Sequence, residues 1–228
     1  MSTEMPPPRR DSEVIQILAT EHWSLLATRA LTYQESLGRV NMFLAILSGA
    51  VIALALIAQA DRFGATFIAV AIFMLTVVLV VGVFTIGRLM ALNREDFRWV
   101  VAMNRLRHAY LELHPELEPH FTTAGHDDMP GILQTLGVDV SRPTGLGSLA
   151  HNLTTLPGML SVIVAAVAGA IGGLLVAGFG APTVFVLLGG IAAFVIASVL
   201  MLAWARRQFR GPAPDLQPRF PKAPTSRT

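Results

Sequence analysis

Long uncharged stretches constrain this chain more than any other feature. No charged residue occurs from Val40 to Ala60 or from Ala65 to Gly87, and His151 is the one ionisable side chain between Pro143 and Ala205. About 20 apolar residues in a helix cross a hydrocarbon core of about 30 Å. The sequence therefore predicts four transmembrane helices, at about 41–60, 65–88, 157–179 and 182–205.

Short turns with glycine join these predicted helices in pairs. ADRFGA (60–65) separates the first two, and GFGAP (178–182) separates the last two, with Pro182 placed to start the final helix. We expect an all-α integral membrane protein, built from two helical hairpins and a helical cytoplasmic module. The Phe-Gly-Ala sequence common to both turns leaves open whether the second hairpin duplicates the first as a parallel repeat.

Basic residues are distributed unevenly along the chain. Of the 17 lysines and arginines, only Arg62 lies in a hairpin turn; the other sixteen lie before the first span, between the second and third, or after the fourth. The positive-inside rule then places both termini and the middle segment in the cytoplasm. The excess of arginine over lysine is typical of a GC-rich bacterial genome, so we expect a bacterial plasma membrane. The N-terminus lacks a basic start followed by an apolar run, so no cleaved signal peptide is predicted.

Several functional classes are not supported by composition or motif. The chain has no cysteine, which excludes disulfides, thiolate catalysis and cysteine-ligated metals. A formal net charge of +2 gives no argument for nucleic acid. No nucleophile elbow, P-loop or GxGxxG sequence is present, so we predict no enzyme and no cofactor. Successive histidines among His108, His114, His120 and His126 point to different helix faces, so no metal site is predicted.

Two apolar stripes predict the cytoplasmic module. One has spacings of 4, 3, 4 and 3, which form a coiled-coil seam. This seam consists of Trp99, Met103, Leu106, Tyr110 and Leu113. Nothing interrupts the helix between Arg88 and Pro115, so the second span is expected to continue through the seam. The other stripe precedes the first span, with Ser12 as a candidate N-cap, and consists of Ile15, Leu18, His22 and Leu25. The two stripes would bury each other, within one chain or between chains.

These features divide the chain into six segments. Residues 1–11 are predicted to be a disordered N-terminus, 12–39 a cytoplasmic amphipathic helix and 40–88 the first hairpin. Residues 89–155 form the cytoplasmic helix and loop module, with a short helix from Asp128 to near Gly137. Residues 156–206 form the second hairpin. Residues 207–228 are predicted to be a disordered, basic, proline-rich tail that either lies against anionic lipid or only aids solubility and topology.

Three polar residues form a stripe on the first span. Asn41, Ser48 and Gln59 are spaced by 7 and 11, which returns to within about 20° on an α-helix. They are candidate pore-lining residues, and hydrogen bonding between packed helices is the alternative. The membrane interior contains no Asp, Glu, Lys or Arg, since Arg88 lies at the inner end of the second span, and this argues against an ion-coupled transporter.

Small residues recur at every fourth position on the later spans and predict close helix packing. They are Ser161, Ala165, Gly169, Gly173 and Ala177 on the third span, and Gly189, Ala193 and Ala197 on the fourth. Ala45, Gly49 and Ala53 repeat the pattern on the first span. The pattern leaves open whether the packing lies within one chain or between subunits.

Short motifs carry a resemblance to known families. EHWSLLATR (21–29), MNRLRHAYLEL (103–113) and PELEP (115–119) resemble a family of actinobacterial four-span membrane proteins without an established activity, over roughly residues 13–138. The order of a helix, two spans and a long cytoplasmic helix is also similar in layout to the SLATT group of membrane effector domains. That resemblance implies a pore-forming effector of bacterial conflict systems controlled by nucleotide signals. This chain departs from the group by its second hairpin and by showing no attached sensor domain.

The sequence thus favours a homo-oligomeric channel or pore in the lipid bilayer, gated or assembled by its cytoplasmic helices. The alternative is a non-conducting scaffold or sensor that presents those helices to a soluble cytoplasmic protein. An uncoupled small-molecule exporter is a third hypothesis. No nucleic acid partner is expected.

Overall fold

Helices are the regular secondary structure of the part of the chain that the structure describes. The computed structural model describes residues 9–137, 155–208 and 216–222. Its elements are α1 (Arg9–Asp61), α2 (Ala65–Leu113), a 3-10 helix (Pro115–His120), α3 (Met129–Thr135), α4 (Leu156–Gly178) and α5 (Thr183–Gln208). The predicted all-α class is confirmed.

Four of these helices, α1, α2, α4 and α5, are long and apolar enough to cross a membrane. The predicted spans are therefore confirmed by length and composition, and the chain is a multi-pass membrane protein. The helix ends at the two turns lie within one residue of the predicted positions. The predicted continuation of the second span past Arg88 is also confirmed, because α2 ends at Leu113.

The N-terminal helix differs from the prediction. α1 runs unbroken from Arg9 to Asp61, so residues 9–11 are helical rather than disordered, and Ser12 lies inside the helix rather than capping it. No proline occurs in this stretch, and a helix extends readily once its first turn exists. The predicted boundary between residues 39 and 40 is therefore not a structural break.

The chain forms two compact units. The polar unit comprises Met1–Tyr33, Asn93–Pro143 and Pro212–Thr228, and the membrane unit comprises Gln34–Leu92 and Thr144–Gly211. Of the predicted linker and tail, residues 138–154, 209–215 and 223–228 lie outside the described residues, as do residues 1–8 of the N-terminus.

An apolar core fills the membrane unit. Phe43, Ile86, Leu89 and Val164 are at most 1% exposed and belong to one cluster contributed by several helices. Three helices meet at Gly82, where an added Cβ would lie 2.5 Å from Val164 Cγ2 and 2.9 Å from Phe43 Cε2. Glycine is required there because α1, α2 and α4 approach too closely for a side chain.

Ion pairs join α1 and α2 beside this core. Arg88 donates from Nε to Glu35 Oε1 at 3.0 Å and from Nη2 to Glu35 Oε2 at 3.1 Å. Arg39 Nε donates to the same Oε1 at 2.8 Å. The two-point contact with Arg88 therefore links α1 to α2, whereas Arg39 lies one turn from Glu35 on α1 itself.

The two Phe-Gly-Ala turns have different backbone conformations. After α1, Arg62 and Phe63 adopt positive φ angles of 47° and 62°, and Asp61 Oδ2 accepts a 2.7 Å hydrogen bond from the Phe67 N–H. After α4, Phe179 has a φ of −86° and Gly180 a φ of 70°. The same three residues thus adopt different backbone conformations in the two turns. The turn geometry does not support a duplication of the hairpin, which stays a hypothesis.

The polar unit is organised around α2. Towards α1, Arg29 pairs with Asp96 at 2.6 Å, and the rings of His22 and Tyr110 lie 6.3 Å apart. Towards α3, buried α2 and α3 residues form an apolar cluster with Leu216 at its edge. The buried members of this cluster are Val100, Val101 and Ile132. Asp128 caps α3 by accepting the Gly131 N–H at 2.9 Å. The prediction of a short helix starting at Asp128 is confirmed.

Part of the tail that we predicted to be disordered is bound in the polar unit. Residues 216–222, which we call the strap, form hydrogen bonds to Asp127, Asp128 and Arg105, and Leu216 packs on the α2–α3 cluster. The prediction is wrong for these residues. Composition indicated disorder because the tail lacks its own apolar face, but the buried carboxylate of Asp127 supplies bonds for its backbone.

Candidate functional site

The polar stripe of the first span lies on the outer surface of the membrane unit. Asn41, Ser48 and Gln59 are all exposed. In the part of the chain that the structure describes, none of these three side chains makes a hydrogen bond. The 18 residues from Asn41 to Gln59 rise about 27 Å along the helix, close to the thickness of a hydrocarbon core, so these two amides lie near its faces and Ser48 lies inside it. The stripe therefore offers polar groups along most of a membrane's depth, with no partner within the described chain.

A face of small residues lies beside this stripe on α1. Gly38, Ala45 and Gly49 are exposed and lie about 70° round the helix from the polar stripe. A Cβ added at Gly38 or Gly49 would meet nothing within 4 Å. This face of α1 is open among the described residues of the membrane unit, and its small residues leave room for the close approach of another helix.

By contrast, the small residues of α4 and α5 pack on each other. A Cβ added at Gly169 would lie 3.0 Å from the Gly190 oxygen, and one at Gly172 would lie 2.9 Å from the Gly189 oxygen. Of the predicted ladder, Ala165, Gly169 and Gly173 are buried, and Ser161, Ala177, Gly189, Ala193 and Ala197 are half-buried. The close approach that these residues allow lies within one chain.

The predicted seam of α2 is largely covered within the polar unit. Met103 is buried, and the others, Trp99, Leu106, Tyr110 and Leu113, are half-buried. The Tyr110 ring faces His22 of α1, which belongs to the other predicted stripe. The indole Nε1 of Trp99 is buried and finds no hydrogen-bond partner in the described part of the chain. The seam is thus mainly a packing surface within the chain rather than a free docking surface.

A buried carboxylate, which the sequence analysis missed, holds the strap. Asp127 is fully buried and pairs with Arg105 Nε through Oδ2 at 2.8 Å. The same carboxylate accepts the Arg219 N–H at 2.9 and 3.0 Å and the Phe220 N–H at 2.8 Å. Asp128 Oδ2 accepts the Lys222 N–H at 2.9 Å. One side-chain donor and two main-chain donors therefore compensate the burial of this single charge.

Aromatic and backbone contacts complete the binding of the strap. The Phe220 ring stacks on His108, with centroids 4.2 Å apart and planes at 25°. The Gln217 oxygen accepts Arg105 Nη2 at 3.0 Å, so Arg105 bonds to both the strap and Asp127. The strap is recognised mainly through its backbone and through one aromatic side chain. Asp127 and Arg219 are 92 residues apart, and no local periodicity links such a pair.

Acidification is expected to release the strap. Burial by itself raises the pKa of Asp127, but the hydrogen bonds from the strap and from Arg105 outweigh burial and lower the pKa below its ordinary value. A lowered pKa stabilises the folded state above the ordinary aspartate pKa of about 3.9, and this contribution is lost as the pH falls through the lower folded-state value. The chain has no cysteine, so a spin label on Lys222→Cys is unique and reports the mobility of the strap.

The label should be immobile at neutral pH and become mobile only below about pH 4. A label that stays immobile at every pH below 4 until the whole protein unfolds would contradict the role assigned to the Asp127 carboxylate.

No metal-binding group emerges among the described residues, where no three His, Asp or Glu side chains are placed to hold an ion. Of the four histidines that recur every six residues, His108 stacks on Phe220, and its ring centroid lies 6.4 Å from that of His126. His114 lies 2.9 Å from Glu116. Comparisons with protein-family models, curated proteins and solved structures found no match to this chain. The family resemblances drawn from the motifs therefore stay proposals.

Proposed function

We propose that this chain is a channel or pore of the bacterial plasma membrane, formed by several identical subunits. In this proposal the spans form two hairpins, and both termini and the polar unit lie in the cytoplasm, as the positive-inside rule favours. The observation that carries the proposal is the exposed stripe of Asn41, Ser48 and Gln59, whose side chains have no hydrogen-bond partner among the described residues.

Lipid hydrocarbon cannot satisfy the polar side chains of this stripe. Hydrocarbon supplies no hydrogen bonds, and an unsatisfied polar group in the bilayer core costs several kcal/mol. The hydroxyl of Ser48, inside the core, therefore needs water or a polar group of another subunit, and the amides of Asn41 and Gln59 extend the polar stripe to the two membrane faces. A stripe of about 27 Å facing an aqueous path satisfies all three positions along the depth of the membrane.

The path requires more than one subunit. Apolar side chains such as Phe43 and Ile86 fill the core of the membrane unit, so the centre of one chain is not the route. If α1 helices surround a central axis with the polar stripe inwards, the face of Gly38, Ala45 and Gly49 turns towards the neighbouring subunit. Small residues at that position allow the close packing on which helix association in lipid depends. The polar unit then serves to assemble or gate the ring.

A scaffold that presents the polar unit to a soluble protein is the second candidate. Four large apolar side chains of α1 in this unit are highly exposed, at 65–69%: Ile17, Trp23, Leu31 and Tyr33. This outer surface of α1, rather than the predicted seam, would contact the partner. A partner recovered with the full chain but lost on Trp23→Ala, together with an absence of ion flux, would favour this function.

Replacing Gln59 with Leu should reduce ion flux through liposomes containing the purified protein. The change removes an amide from the proposed path and puts an apolar side chain of similar size in its place, which raises the barrier to hydrated ions. Flux is measured with a membrane-potential dye, and the subunit count of each variant by native mass spectrometry. We expect a ring of four or more subunits in both proteins.

Gln59→Asn is the matched control, because it keeps the amide and should keep most of the flux. A monomer or dimer as the largest species would overturn the pore and favour the scaffold. A ring whose flux is unaffected by Gln59→Leu would remove the stripe as the path.

A further inference from the structure

Arg107 is an unusual residue of the polar unit. Its side chain is buried, with the residue only 8% exposed, yet it carries a permanent positive charge. Nη1 donates a 2.7 Å hydrogen bond to Asn104 Oδ1, which is a neutral acceptor. In the described part of the chain, no carboxylate pairs with Arg107. A buried cation normally has an anionic partner, because leaving water costs several kcal/mol.

The charged neighbours of Arg107 do not supply that partner. Its electrostatic neighbours are Arg29 and His22, both on α1 and both of basic type. The Arg29 guanidinium is occupied by Asp96, at 2.6 Å from Nε to Oδ1 and 3.3 Å from Nη2 to Oδ2. Asp96 therefore pairs with Arg29, the more exposed of the two arginines, and Arg107 keeps only the neutral oxygen of Asn104.

Two further observations indicate that the guanidinium is held in place for a ligand. Asn104 is fully buried and is fixed on both sides, with Nδ2 donating to the His126 oxygen at 2.8 Å and Oδ1 accepting the Thr135 hydroxyl at 2.9 Å. The ring of His22 lies 6.3 Å from that of Tyr110, one turn from Arg107 on α2, and its buried Nδ1 has no hydrogen-bond partner among the described residues. Arg107 is thus oriented by a rigid amide, beside an unused ring nitrogen.

We propose that Arg107 and His22 form a binding site for a phosphate group between α1 and α2 of the polar unit. A planar guanidinium binds phosphate through two parallel N–H···O bonds, and a tetrahedral anion has further oxygens for a donor on the second helix. A bound anion also neutralises the charge of Arg107, for which the described residues supply no carboxylate. The proposed phosphate site does not depend on the function of the transmembrane spans, so it is tested independently of ion conduction.

The phosphate has two chemical sources, a soluble anion or a lipid headgroup. Both present the same group to Arg107, and they differ in whether ligand binding needs a bilayer. Inorganic phosphate in neutral detergent and nanodiscs that contain phosphatidylglycerol test the two sources separately, with phosphatidylcholine nanodiscs as the reference for the second.

Thermal unfolding of the full-length protein measures the binding. A ligand that binds only the folded state raises the melting temperature. In detergent, potassium phosphate is compared with potassium chloride at equal ionic strength, so that general charge screening is matched. We expect a phosphate-dependent rise for the native chain and, for Arg107→Gln, a midpoint concentration at least about tenfold higher or no rise.

Arg98→Gln is the matched control, since it removes the same charge from an exposed position on the same helix and should leave the phosphate response intact. Arg107→Lys tests recognition of the planar guanidinium and should respond more weakly than the native chain. If Arg107→Gln does not fold, loss of the response on His22→Phe provides the second test.

The outcomes separate the two sources. A rise with free phosphate that depends on Arg107 supports a soluble ligand. A rise only in phosphatidylglycerol nanodiscs that depends on Arg107 supports a headgroup. Equal responses of the native chain and Arg107→Gln in both media, or no response in either, overturn the site.

Discussion

Replacing Asp127 with Asn is expected to release the strap and to destabilise the polar unit by about 3 kcal/mol. The substitution keeps the shape of the side chain but removes its charge and turns one acceptor oxygen into a donor. The amide keeps one acceptor oxygen, so Arg105 Nε at the Oδ2 position and the Phe220 N–H at the Oδ1 position can no longer both be satisfied. The measurements are chemical unfolding in detergent and the mobility of a spin label on Lys222→Cys.

Glu118→Gln is the matched control, because it removes one carboxylate charge from an exposed position of the same unit. It should leave the label immobile and change stability by less than about 0.5 kcal/mol. A strap that stays bound in Asp127→Asn would show that Phe220 stacking and Leu216 burial suffice without the charge. Comparison of the two variants therefore distinguishes binding of the strap through the Asp127 carboxylate from binding through its apolar side chains.

The transmembrane part of this fold follows from the sequence because the bilayer imposes a simple rule. A stretch of about 20 residues without charge has few alternatives to a spanning helix, and short glycine turns leave little freedom at its ends. The helix ends beside Asp61 and Thr183 accordingly fall within one residue of expectation. Small residues at every fourth position also give the correct face, since Gly169 and Gly173 are buried against α5.

The polar unit was less predictable because its organisation depends on contacts between distant residues. The strap reads as disordered by composition, and only the buried carboxylate of Asp127 gives its backbone a place to bind. The seam of α2 was located correctly by spacing. Spacing alone does not tell whether α1 of the same chain or a partner covers Tyr110. Arg107 carries no sequence signal at all, because burial without an anion is a property of the folded surroundings.

The sequence predicted that the candidate pore-lining residues share one side of α1, but it did not predict that this side is exposed. Periodicity places Asn41, Ser48 and Gln59 on one side of α1, and it is equally compatible with a stripe turned inwards to bond with other spans. The structure resolves this point, because all three are exposed and make no hydrogen bond among the described residues. Whether these three side chains face lipid, water or a second subunit depends on the surroundings of the chain in the membrane, which a single chain does not contain.

Two glycines on different spans allow packing within the chain and packing between chains to be tested separately. Gly172→Val should destabilise the membrane unit by about 3 kcal/mol or more, because a Cβ at this position already lies 2.5 Å from Ala193 Cβ and 2.9 Å from the Gly189 oxygen. The backbone of α5 would have to move away from α4. The measurement is the midpoint of unfolding of the detergent-solubilised protein under increasing denaturing detergent.

Gly49→Val makes the same chemical change on α1, where nothing lies within 4 Å of an added Cβ. Within one chain it should be neutral or slightly stabilising, since valine is a better helix former than glycine. In the proposed ring, however, Gly49 faces the neighbouring subunit, and the added methyl groups would prevent the close approach of the two helices. We therefore expect normal unfolding of the single chain but a lower subunit count by native mass spectrometry. An unchanged count would move the subunit contact away from the face of Gly38, Ala45 and Gly49, and the polar stripe beside it would lose its support as the pore wall.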